Sequence, residues 1–66
     1  MELYTLRKGD RFRINSGTDY VPKGDPEPDT GIIYRHEKVD GMYSINLSPS
    51  GEVVHLAAWT DVEVIE

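Results

Sequence analysis

The sequence predicts a single all-β domain: a five-stranded small barrel with a long first loop and a short 3₁₀ turn before the last strand. Three observations predict it. Apolar and polar residues alternate in the strand segments, no window keeps apolar residues at helical spacing, and glycine or proline clusters punctuate the chain between alternating runs. Sixty-six residues leave room for one domain, 1–66, and one core.

Residues 10–15 form the first expected strand, with Phe12 and Ile14 on one face and Arg11 and Arg13 on the other. Lys8-Gly9-Asp10 before it reads as a turn, and Leu3 and Leu6 as residues folded over one end of the barrel. Residues 16–30 form a long loop containing Gly17, Pro22, Gly24, Pro26 and Pro28. The second strand spans 31–37, with Ile32, Tyr34 and His36 opposite Ile33 and Arg35. Asp40-Gly41 is a hairpin signal. The third strand spans 42–47, where Tyr43, Ile45 and Leu47 alternate with polar residues and Ile45 is expected in the core with Phe12. A turn at 48–51 leads to a fourth strand at 52–56. The 3₁₀ turn is expected at 57–61, with Trp59 capping a barrel end. The last strand, 62–65, is expected to pair with the first and close the barrel, hiding both sheet edges.

There is no cysteine, so neither a disulfide nor a thiolate metal site is available, and a reducing compartment fits. Met1-Glu2-Leu3-Tyr4 lacks the layout of a signal peptide, and the longest apolar run is 56–59, far short of a membrane span. The chain reads as cytoplasmic, with no membrane partner. Its net charge of −5 is uneven. Residues 1–24 carry five bases against three acids, whereas residues 25–66 carry nine acids against two bases. This balance opposes a phosphate backbone and also serves solubility.

The layout resembles the small barrels of the Src-homology-3, KOW and Tudor kind. The matching features are the Gly9-Asp10 opening, the long first loop, the hairpin-linked strands, the turn at 57–61 and the final strand. A peptide-binding Src-homology-3 domain carries an aromatic cluster in its first loop, where this chain has only Tyr20, and its tryptophan opens the third strand, whereas Trp59 lies near the end. The compact, acidic, cysteine-free type also resembles small accessory proteins of bacteriophages.

No nucleophile-and-base motif, phosphate loop or paired-histidine motif is present, so no catalytic residue and no cofactor is expected. His36 and His55, read as surface residues on neighbouring strands, with Glu37 or Asp61 lack the spacing of a metal site, and none is assigned. The acids at Asp25, Glu27 and Asp29 alternate with prolines in a stiff segment near Tyr20. With Trp59 these residues form the expected contact surface of a non-catalytic protein-binding module. Such a module would act as an adaptor or an inhibitor, docking its acidic loop on a basic partner. Two alternatives stay open. Arg7, Lys8, Arg11 and Arg13 with Tyr34 would make a nucleic-acid face, unless these cations balance acids such as Glu63. The chain would otherwise serve as a structural or assembly subunit.

Overall fold

The structure, a computed structural model, describes residues 1–15 and 27–66. Tyr20 and Asp25 therefore lie outside the described residues. The five strands are β1 (Arg11–Ile14), β2 (Tyr34–Asp40), β3 (Tyr43–Leu47), β4 (Val53–Ala57) and β5 (Val62–Ile65). They form one antiparallel sheet in the order β4-β3-β2-β1-β5.

The expected β1–β5 pairing is present, with Phe12 opposite Val64 and Ile14 opposite Val62. It does not close a barrel. Among the described residues no ladder joins β4 to β5, so these two strands are the sheet edges. The backbone that such a ladder would need is partly taken by the N-terminal segment. Val62 N–H donates to the Met1 carbonyl, Leu3 N–H to Thr60 and Tyr4 N–H to Ala58, at 2.8, 3.0 and 2.9 Å.

A 3₁₀ helix lies at Leu3–Thr5, and the single i→i+3 turn expected before the last strand is present at 57–60. There Thr60 N–H and Oγ1 both donate to the Ala57 carbonyl. The hairpin turn sits one residue later than expected. Asp40 pairs with Tyr43, and Gly41, at φ +63°, is the first of two turn residues. A positive φ there, followed by an ordinary one at Met42, is the II′ pattern that suits the twist of a hairpin.

One face of the sheet holds the core: Leu3, Leu6, Phe12, Ile14, Tyr34, Val54, Leu56 and Val62. Phe12 and Tyr34 stack across the β1–β2 pair, centroids 5.7 Å apart, and the Tyr34 hydroxyl accepts the Asp29 N–H at 2.9 Å. Full burial of one such large side chain contributes about 1.5–3 kcal/mol.

β3 faces the opposite way from its expected orientation. Ser44 and Asn46 are fully buried, while Tyr43, Ile45 and Leu47 lie half-buried on the outer face. The cause is the register with β2. His36 opposes Asn46, and a bulge between His36 and Lys38 absorbs Glu37, so that Lys38 opposes Ile45 and stays outside the core. Among the described residues, no helix is long and apolar enough to cross a membrane.

Candidate functional site

The polar residues that β3 turns inward satisfy one another. Asn46 Nδ2 donates to the Ser44 and Val54 carbonyls at 3.1 and 3.3 Å, which fixes the amide orientation. Its Oδ1 accepts the Ser44 hydroxyl at 2.9 Å and lies 3.0 Å from His36 Nδ1. Because that oxygen can only accept, His36 carries a proton on Nδ1. Ser44 Oγ is also 3.0 Å from His36 Nδ1, a spacing shared by nucleophile and base pairs. Here the hydroxyl proton is committed to Asn46, and neither residue is reachable, Ser44 being 0% and His36 2% exposed. The arrangement is a satisfied internal network. His36 is thus no surface histidine, and His55 is not on a neighbouring strand. β3 separates them, and His55 opposes Ile45 on the other face. Among the described residues, no group of three potential ligands gathers for a metal ion.

Among the described residues, two surfaces stand out, at opposite ends of the sheet. The first surrounds Ala58, whose N–H donates to the Met42 carbonyl and whose carbonyl accepts the Tyr4 N–H, both at 2.9 Å. Three chain segments therefore converge there. They carry Tyr4, Met42 and Trp59, which are 54%, 66% and 42% exposed. The acids of the same segments are Glu2, which accepts the Tyr4 hydroxyl at 3.3 Å, Asp40 beside the hairpin turn, and Asp61. The Met1 amino group lies 2.7 Å from Asp61, and Asn15 donates to the same carboxylate at 3.1 Å. The amino group's hydrogen bond holds the Asp61 carboxyl below its ordinary pKa, with Asn15 adding to the effect. The same bond raises the pKa of the amino group.

The second surface is the outer face at the other end. One row of directly opposed residues crosses all five strands: Ile65, Arg11, Arg35, Leu47 and Val53. Arg13, one step along β1, opposes Glu63 and pairs with it at 2.7 Å. Next to the row, Lys38, Ile45 and His55 are opposed, and Tyr43 meets His55 edge to face at 6.4 Å.

Of the expected contact residues, Glu27, Asp29 and Trp59 are among the described residues. Trp59 belongs to the Ala58 end and, being substantially exposed, is not the cap of a buried barrel end. Glu27 and Asp29 are exposed, and Asp29 Oδ1 accepts the Gly31 N–H at 2.7 Å within its own turn. Arg7 and Lys8 are exposed in the turn before β1, where Arg7 N–H donates to the Asp10 carboxylate at 2.9 Å. Tyr34, expected as a stacking platform, is 2% exposed with its ring against Phe12, so no base can reach its face. Sequence reasoning did not select Tyr4, Met42 or Arg35. The strand pairings that give them neighbours are set by register, which composition does not reveal. No family model, curated protein or solved structure matches this chain.

Proposed function

We propose that this chain is a non-catalytic protein-binding module that docks the Ala58 end of its sheet on a basic partner surface. The carrying observation is the convergence of exposed Tyr4, Met42 and Trp59 on segments hydrogen-bonded through Ala58. Tryptophan and tyrosine are the usual anchors of interfaces, and methionine is enriched there. Their acidic neighbours Glu2 and Asp40 give the rim a sign, Asp61 being paired with the Met1 amino group, and exposed Glu27 and Asp29 add to the negative field of the chain. An apolar centre with an acidic rim is complementary to an apolar pocket edged by lysine or arginine.

The experiment compares the wild-type chain with a Trp59→Ser/Met42→Ser double variant as immobilised bait. Met42 is 66% exposed but Trp59 only 42%, so the double variant should lose some stability, and capture is compared at a temperature where circular dichroism shows both baits folded. The captured protein should be lost by the variant, and captured less as salt rises from about 50 to 500 mM. Equal capture by both baits would overturn the reading.

A further inference from the structure

The row that crosses the sheet sets two like charges against each other. Arg11 and Arg35 oppose each other directly on the outer face of β1 and β2. His36 N–H donates to the Asp10 carbonyl at 2.8 Å, one residue beyond the pair on each strand. That makes Arg11–Arg35 a non-hydrogen-bonded pair, the kind that brings opposed side chains closest. Like charges in this position are destabilising. Elsewhere on the face the sheet does the opposite, setting Arg13 against Glu63 at 2.7 Å. Arg35 reaches only its neighbour Glu37, at 3.5 Å, and Arg11 has no ion-pair partner among the described residues.

The two guanidinium-bearing strands border a groove of about 410 Å³, walled by Ile33, Leu47 and Pro49. We propose that this groove binds a carboxylate carried on an aliphatic body, the carboxylate lying between Arg11 and Arg35 and the body against Leu47 and Pro49. The charge argument calls for an anion whose two oxygens can serve two guanidinium groups at once. The walls choose the body. They are mainly aliphatic, with Ser48 among them, and among the described residues the one aromatic side chain at the groove, Tyr34, is buried and offers no open ring face to a nucleobase. The net charge of −5 also opposes a polyphosphate chain. This groove lies at the end of β3 away from Met42, so it is independent of the docking surface proposed above.

The test is titration of the full chain, labelled with ¹⁵N-arginine and with ¹³C in its leucine methyl groups, at constant ionic strength. The probes are isovalerate, acetate and inorganic phosphate, and the readouts are the Arg11 and Arg35 Nε–H signals and the Leu47 methyl signals. Isovalerate should move all three sets saturably and bind about tenfold more tightly than acetate, because its extra carbons are covered by the walls. Arg11→Gln should abolish the saturable shifts while keeping or raising the thermal midpoint, since it removes the repulsion. No saturable movement with isovalerate would overturn the site. Tighter binding of phosphate than isovalerate would overturn the carboxylate assignment and point to a phosphoryl ligand.

Discussion

His36 and Asn46 face each other across the β2–β3 ladder inside the core, ring nitrogen to amide oxygen at 3.0 Å. This contact is the centre of a polar network that tolerates burial because every member has partners, and no buried side-chain nitrogen or oxygen among the described residues is left without one. Asn46→Ala removes the acceptor of both His36 and Ser44 and the donor to the Val54 carbonyl. It should cost about 1–3 kcal/mol for each buried group left unpaired, enough to unfold a domain this small. Urea denaturation checks this, and a midpoint close to wild type would mean the network is open to water.

Phe12 and Ile45 should differ sharply on truncation. Phe12 is 0% exposed, and Phe12→Ala should cost about 3–5 kcal/mol. Ile45 is half-buried on the outer face, so Ile45→Ala should cost about 1 kcal/mol. The sequence-based expectation made both large. Equal, large losses in chemical denaturation would place Ile45 in the core and reverse the face assigned to β3.

The tie between Met1 and Asp61 sets a pH window. Asp61 has a folded pKa below its ordinary 3.8, so its contribution is present above that value and lost as pH falls through the lower folded pKa. The amino group has a folded pKa above 8.0, so its contribution is present below that value and lost as pH rises through the higher folded pKa. The gap in thermal midpoint between wild type and Asp61→Asn should be widest between these limits and narrow on both sides. A gap unchanged across the pH range would show that the charges contribute nothing.

Gly41 should not accept a side chain without strain. At φ +63° an alanine pays the left-handed penalty, although open space surrounds the position. Gly41→Ala should cost about 1 kcal/mol, read by denaturation, while leaving the strand register intact. No loss would mean the hairpin uses another turn.

Much of the sheet was legible in the residues. Arg11-Phe12-Arg13-Ile14 declared its inward side, because only one of its faces is apolar, although the strand is shorter than the expected 10–15, and Val62 and Val64 declared the inward side of β5. β3 declared its alternation but not its orientation. A period of two tells which residues share a face, and Tyr43, Ile45 and Leu47 look like the inner one. What decides the orientation is the bulge after His36, together with hydrogen bonds that exist only when His36, Ser44 and Asn46 meet. The 3₁₀ helix at Leu3–Thr5 is three residues long and leaves no periodic signal. Of the candidate surfaces, Trp59 and the outward pair Arg11 and Arg13 could be read in advance. Their neighbours Tyr4, Met42 and Arg35 arrive only through pairing.

The most direct test of the proposed docking end is amide hydrogen exchange of the chain, free and bound to the protein it captures. Docking at the Ala58 end predicts new protection at residues 2–5, 40–43 and 58–61, with residues 33–35 and 47–51 unchanged. Protection confined to 33–35 and 47–51, with the Ala58 end exchanging as in the free chain, would contradict it.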